Sequence, residues 1–131
     1  MFPSEKEFLL GNKADELLKL TLEMCGKDES KTLRFPKVFY ESYVSQIIGA
    51  AAVINKNIIM ANEMERGEER TNLQKEAKRY CVWLNHLIRI CAEFGWISIK
   101  QRDRWQKLAT GIKWGLMNWI KSDEKIKTGI S

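Results

Sequence analysis

Apolar residues recur along most of the chain with the spacing of an α-helix, and short polar stretches interrupt them. At about 100° per residue, one set of apolar side chains in the second half of the chain falls within a narrow sector of a helix. The members of this set are Leu73, Ala77, Tyr80, Cys81, Leu84, Leu87, Ile88 and Cys91. Alternating apolar and polar positions, which are typical of strands, are rare. The pattern therefore predicts amphipathic helices.

The first half of the chain contains the signals of two helices. Ser4 and Glu7 have the spacing of a capping box, so the first helix is expected to begin there and to end near Gly26. Pro36 suits the first turn of a second helix, because that position needs no backbone amide. The apolar pattern of this second helix continues to about Glu65.

The second half contains the signals of two further helices. After a polar break at residues 66–68, the third helix is expected to close at Gly95, because glycine readily adopts the left-handed conformation of a helix cap. Ser98 and Gln101 repeat the capping-box spacing and open a fourth helix, which is expected to end near Lys121. Its expected core line is Trp105, Ala109, Ile112, Leu116 and Trp119.

Length and proline content fit a single helical domain. The chain has 131 residues, which is enough for one hydrophobic core but too few for two domains. It contains two prolines, a small number that is consistent with long helices. Short connections favour antiparallel neighbours, so we predict an all-α, up-down-up-down four-helix bundle. The bundle is expected to occupy residues 1–122 and a polar tail residues 123–131.

The second helix is apolar around most of its circumference, since Val38, Val53 and Met60 fall outside its main apolar face. A monomer of four helices does not enclose such a helix completely, so we expect the chain to form a homo-oligomer. Trp114, which lies opposite the core line of the fourth helix, joins Val53 and Met60 as a candidate interface residue. An isolated exposed aromatic or a base-stacking residue are the alternatives for Trp114.

Two other tryptophans and the cysteines are expected to be structural. Trp83 is predicted at the edge of the core, and Trp96 is predicted to fill a loop. Three cysteines without a Cys-x-x-Cys pair are typical of small buried side chains rather than of a zinc site. The first residues lack the features of a secretory signal, and no run of about 18 uncharged apolar residues occurs. We therefore expect a cytoplasmic protein without membrane spans.

Positive charge is concentrated in the third helix and the start of the fourth. Residues 1–30 contain four Lys and seven acids, a net charge of −3, whereas residues 66–107 contain ten Lys and Arg and five acids, a net of +5. The third helix presents a basic stripe opposite its apolar sector, formed by Lys75, Lys78, Arg79, His86 and Arg89. A second basic cluster consists of Arg102, Arg104 and Lys107. Such a surface is either a solvated helix face or a site for phosphate groups.

Motifs of catalysis are missing from the sequence. His86 is the single histidine, and no serine or cysteine nucleophile is predicted beside it. The residue three before His86 is Trp83, so the Glu-x-x-His spacing of di-iron bundles is absent. No glycine-rich phosphate loop ending in Gly-Lys-Ser/Thr occurs. We therefore expect a binding protein without catalytic residues, metal or cofactor.

Four short segments resemble a known family of helical bundles. They are Arg34-Phe35-Pro36-Lys37, Met60-Ala61-Asn62, the basic start of the third helix from Arg70 to Lys78, and Trp119-Ile120-Lys121-Ser122-Asp123. With the order and length of the helices, the resemblance covers roughly residues 30–125. The chain is thereby similar to the accessory variability determinant (Avd) proteins of diversity-generating retroelements. Their family also includes the proteins encoded in ribosomal RNA intervening sequences.

The resemblance implies a non-enzymatic accessory protein of bacterial, archaeal or phage origin. Its relatives assemble as a pentameric ring, bind the reverse transcriptase and template RNA, and support mutagenic cDNA synthesis, known as mutagenic retrohoming. Carried over, these contacts would fall on Lys75, Lys78, Arg79 and Arg89, with His86 as a weaker member. The other branch of the family implies a structural or protein-interaction role.

Overall fold

Four α-helices make up most of the computed structural model, which describes residues 8–27 and 30–129. They are α1 (Leu9–Met24), α2 (Ser45–Asn62), α3 (Glu68–Glu93) and α4 (Ile99–Gly129). A 3-10 turn and a π-helical turn, together covering residues 37–44, lead into α2. The described residues contain no strand beyond an isolated bridge between Lys27 and Leu33. The all-α prediction is confirmed.

Each helix packs against two neighbours, and successive helices run in opposite directions. α1 and α3 both contact α2 and α4, whereas the diagonal pairs do not touch. The Tyr43 hydroxyl donates to the Leu87 carbonyl at 2.7 Å, and the Asn57 amide donates to the Leu73 carbonyl at 3.1 Å. Residue numbers rise along the α2 side and fall along the α3 side, as in an antiparallel pair. The bundle leaves one side of every helix facing outward.

The core lies along the common axis of the four helices. Trp105 is fully buried, and its indole N–H donates to the Thr21 hydroxyl of α1 at 3.0 Å. The predicted core line of α4 is confirmed, because Ala109, Ile112 and Leu116 are also buried and Trp119 packs against the core. Satisfying the polar edge of a buried indole keeps the large apolar ring inside at little cost.

The caps predicted around the α3–α4 connection are confirmed. Gly95 has a φ of +77°, in the left-handed region where a side chain is unfavourable. The Ser98 hydroxyl accepts from the Gln101 amide at 3.0 Å, and the Gln101 side chain accepts from the Ser98 amide at 2.8 Å. Trp96 fills this turn as expected, since its ring contacts Phe35 at 5.7 Å and Tyr43 at 5.8 Å between centroids. The capping box predicted at Ser4 and Glu7 lies outside the described residues.

Three helix boundaries were placed wrongly by the sequence patterns. α2 ends at Asn62 rather than near Glu65, and the residues after Pro36 form 3-10 and π turns before α2 itself. α4 does not end near Lys121 but continues to Gly129, so the predicted division at residue 123 falls inside a helix. The reason for the longer α4 is that Asp123 is buried and has partners on α3.

Asp123 joins the end of α4 to the beginning of α3. Its carboxylate accepts from Arg70 Nε at 2.8 Å and Nη2 at 3.1 Å, and from Gln74 Nε2 at 2.9 Å. The Arg70 guanidinium also lies 4.8 Å from the ring centroid of Trp119, a cation–π distance. The segment that ends the family resemblance, Trp119 to Asp123, therefore contributes to the packing of α3 on α4.

The segment Lys37–Asn62 is long and apolar enough, by length and composition alone, to cross a membrane. Its most apolar window has a mean hydropathy of 1.4, and 44% of that window is buried in the bundle. Core helices of soluble proteins have the same character. The outward side of α2 nevertheless keeps Ile59 and Met60 exposed, as the wide apolar pattern predicted.

Gly115 of α4 allows a close approach by α1 of the same chain. A Cβ at Gly115 would lie 2.8 Å from the Leu10 side chain of α1, so this glycine lets α1 pack tightly on α4. Gly111 has open space where a Cβ would stand.

Candidate nucleic-acid interface

The side of α3 that faces away from the bundle carries the predicted basic stripe. We call this surface the α3 outer face and define it by exposed residues spaced three or four apart, which share one side of a helix. They are Lys75, Arg79, Val82, Trp83, His86 and Arg89. Lys78 is half-buried beside them. The structure thus confirms that the predicted stripe points away from the core.

Few acidic side chains balance the positive charge on this face. Between Lys75 and Arg89 the chain has four cations, and Glu76 is the single acid. The Glu76 carboxylate accepts from Asn57 Nδ2 of α2 at 2.7 Å, which draws it toward the α2 side. Arg89 lies 3.8 Å from Glu93, but both side chains are more than half exposed, so this ion pair contributes little. The face therefore attracts anions.

Aromatic rings stack within the basic surface. The ring centroids of Trp83 and His86 are 5.7 Å apart with an interplanar angle of 19°. Arg89 Nη2 lies 3.1 Å from His86 Nδ1. A guanidinium only donates hydrogen bonds, so His86 Nδ1 is the acceptor in this contact. The arginine thereby holds the imidazole parallel to the indole.

The prediction that Trp83 lies at the edge of the core is wrong, because its side chain is 42% exposed. Leu84 and Leu87, which are buried, occupy the core-facing positions next to it. Trp83 comes four residues after Arg79 and three before His86, and residues with these spacings are neighbours on a helix surface. The same angular pattern that located the basic stripe therefore places this tryptophan inside it.

The second predicted basic cluster does not form one patch. Arg102 Nη2 lies 2.8 Å from Asp103, which neutralises it locally. Arg104 and Lys107 instead line a groove of about 520 Å³ between α1 and α4. We call it the α1–α4 groove, and its charged lining is completed by Lys13, Glu16, Lys19 and Glu23. This groove has a mixed charge and lies on a different side of the bundle from the α3 outer face.

The candidate interface residues are spread over two helices. Trp114 is 54% exposed on α4, with the Lys113 ammonium 5.2 Å from its ring centroid. Met60 is exposed on α2 and Val53 is half-buried there. Since α2 and α4 are diagonal in the bundle, the three residues lie on two separate surfaces rather than on one.

No protein-family model matches the chain, and no curated protein matches its sequence. Membership of the accessory variability determinant family therefore stays a prediction, carried by the four short segments. The geometry of the α3 outer face is independent of that resemblance. The exposed charges and aromatic rings of this face are therefore the main indication of its role.

Buried thiols give no nucleophile to this surface. Burial raises the pKa of Cys25 and of Cys81 to about 12, and that of Cys91 to about 11. All three are free cysteines inside the bundle, so they stay protonated near neutral pH. Among the described residues, no group of three His, Cys, Asp or Glu side chains is placed to hold a metal ion.

Proposed function

We propose that the chain is a non-enzymatic RNA-binding accessory protein that contacts the phosphate backbone through the α3 outer face. The observation that carries this proposal is the set of cations on the outward side of α3, exposed at Lys75, Arg79 and Arg89, which outnumber the acids beside them, Glu76 and Glu93. Cations at such positions contribute little to folding, so their accumulation on one face is better explained by an anionic partner. Backbone contacts of this kind are salt-dependent and carry little sequence information.

The family resemblance narrows the partner. By that resemblance, the RNA is the template of a diversity-generating retroelement, and the chain binds it with the element's reverse transcriptase in the cytoplasm. The role would be to support mutagenic retrohoming. Lys75, Lys78, Arg79 and Arg89 are the residues assigned to these contacts, and the exposure of Lys75, Arg79 and Arg89 supports the assignment.

Self-association belongs to the same proposal. Ile59 and Met60 leave apolar surface on the outward side of α2, and Trp114 leaves an exposed ring on α4. Because these lie on opposite sides of the bundle, one copy can use two different surfaces toward two neighbours, which is the geometry that closes rings. A pentamer, as the resemblance implies, would present five copies of the α3 outer face to one RNA and raise its avidity.

Charge removal at two matched surfaces tests the proposal. The first variant replaces Lys75, Lys78, Arg79 and Arg89 by alanine. The control removes the same number of cations from the α1–α4 groove, namely Lys13, Lys19, Arg104 and Lys107. Fluorescence anisotropy with the template RNA at low salt is expected to show a large loss for the first variant and a small one for the control. Equal losses would mean that net charge, and not the α3 outer face, controls binding.

Co-purification tests the partner. The chain is expressed with the reverse transcriptase and the template RNA of its own locus, and light scattering gives the mass of any complex. A complex of defined mass with several copies of the chain is expected. An oligomer that ignores both partners at low salt would favour the alternative, a structural or protein-interaction bundle of the intervening-sequence type. The exposed apolar residues of α2 are the observation in favour of that alternative.

A further inference from the structure

The exposed ring of Trp83 lies in the middle of the α3 outer face. Arg79 comes one turn before it, His86 one turn after it, and Arg89 one turn after His86. Val82, the preceding residue, is also exposed, so the centre of this basic surface is apolar. Proteins that bind single strands combine cations along the phosphate backbone with aromatic rings on which bases stack.

We propose that Trp83 and His86 form a stacking platform for an unpaired base, so that the α3 outer face binds single-stranded rather than duplex RNA. This inference rests on the proposed RNA-binding function and specifies the form of RNA that the face prefers. The structural basis is the pair of nearly parallel rings between two arginines, at an interplanar angle of 19°.

The platform is held in place before any ligand arrives. The His86 ring lies 5.7 Å from the Trp83 ring between centroids, and Arg89 donates to the imidazole Nδ1 at 3.1 Å. A third flat ring can extend this stack on the exposed side while Arg79 or Arg89 contacts the adjoining phosphate. The bases of a duplex are already stacked on one another and are not accessible to such a ring. A duplex would use the cations but not the platform.

Charge argues against a second copy of the chain as the occupant of this face. Two α3 outer faces brought together would place Lys75, Arg79 and Arg89 of one copy close to the same cations of the other. Like charges facing each other disfavour an interface. An anionic ligand with exposed aromatic rings satisfies both the cations and the indole, and an RNA single strand has this composition.

Three variants at two exposed aromatic residues separate stacking from other effects. Trp83→Leu keeps an apolar side chain but removes the ring, whereas Trp83→Phe keeps a ring. Phe39→Leu is the matched control, because Phe39 is 39% exposed, close to the 42% of Trp83, and lies in the 3-10 turn before α2. The probes are an oligouridylate of about 12 nucleotides, the same backbone without bases, and a blunt RNA duplex of equal length. Light scattering of each free protein reports its oligomeric state.

Affinity for the oligouridylate is expected to fall about 10-fold in Trp83→Leu, to change little in Trp83→Phe, and to stay unchanged in Phe39→Leu. Binding of the base-free backbone and of the duplex is expected to be the same in all four proteins. The inference is overturned if Trp83→Leu binds the oligouridylate as tightly as the wild type, or if it alters the oligomeric state instead.

The two proposals fail in different ways. If the fourfold alanine variant of the α3 cations loses binding while Trp83→Leu does not, RNA binding stands and the stacking platform is wrong. If the wild-type protein binds none of the three probes at low salt, the RNA-binding function itself is wrong, and the platform with it.

Discussion

Arg70 and Arg89 are arginines of the same helix, and their surroundings differ in every respect. Arg70 has a side chain 14% exposed, and it makes two hydrogen bonds to Asp123 and one to the Met64 carbonyl. Arg89 is 55% exposed and has an ion pair of 3.8 Å with Glu93. The Arg70 charge is paired within the bundle, whereas the Arg89 charge is exposed and accessible to a ligand. Counting cations along a helix does not distinguish them, whereas burial and partners do.

The largest effect is expected from removing the partner of the buried cation. Asp123→Ala leaves the Arg70 guanidinium buried without a carboxylate and is expected to lower the free energy of unfolding by about 3–5 kcal/mol. Urea denaturation followed by circular dichroism measures this. Lys121→Ala, at an exposed position of the same helix, is the control and should stay within about 0.5 kcal/mol of the wild type. Similar stabilities of the two variants would show that Asp123 does not hold α4 on α3.

Alkaline pH extends the comparison to other buried ionisable groups. The thiols of Cys25 and Cys81 have a pKa of about 12 in the folded protein, raised by burial above the ordinary value of 9.0, so they ionise more readily in the unfolded chain. The stability they contribute is complete below about pH 9 and is lost as the pH rises toward 12. Each thiol should remove about 1.4 kcal/mol per pH unit in this window.

The alkaline effect is measured as the urea midpoint at several pH values. The control is a variant with alanine at Cys25, Cys81 and Cys91, whose midpoint should fall less steeply with rising pH. Equal slopes for the two proteins would mean that the thiols are not protected by burial and that other groups, such as exposed lysines, cause the loss.

Conservative replacement of the two arginines gives a smaller but more specific contrast. Arg70→Lys keeps the charge but loses the paired hydrogen bonds to Asp123, and is expected to cost about 1.5–3 kcal/mol. Arg89→Lys should leave stability unchanged, because its ion pair is exposed. Thermal unfolding of both variants measures the difference. A loss of stability of similar size in Arg89→Lys would show that Arg89 also stabilises the fold.

Much of this architecture was predictable from the sequence, because it depends on local signals and on helical period. The capping box at Ser98 and the left-handed Gly95 are signals of that kind, and both are present. The outward direction of the basic stripe follows from the angular position of Lys75 and Arg89 relative to the buried residues of α3.

The errors concern contacts between distant parts of the chain. In the sequence, Asp123 is the first residue of the predicted polar tail. Its contact with Arg70, 53 residues away, explains why it is buried in the bundle. Three basic residues of α4 are close in sequence but point in different directions. Arg102 forms an ion pair with Asp103, whereas Arg104 and Lys107 line the α1–α4 groove. Trp83 was predicted at the edge of the core, but its angle on the helix, three residues before His86 and four after Arg79, places it on the α3 outer face.

The effect on stability is also expected to be small, residue for residue, at the α3 outer face itself. Replacing Lys75, Lys78, Arg79 and Arg89 together by alanine should change the free energy of unfolding by at most about 0.5 kcal/mol per residue, since exposed charges contribute little. The same variant should flatten the dependence of the logarithm of RNA affinity on the logarithm of salt concentration. Four lost contacts to a single strand reduce that slope by about 3. A variant that unfolds easily but keeps the wild-type slope would reverse the comparison: these cations would then serve the fold, as Arg70 does, and the RNA contact would lie elsewhere.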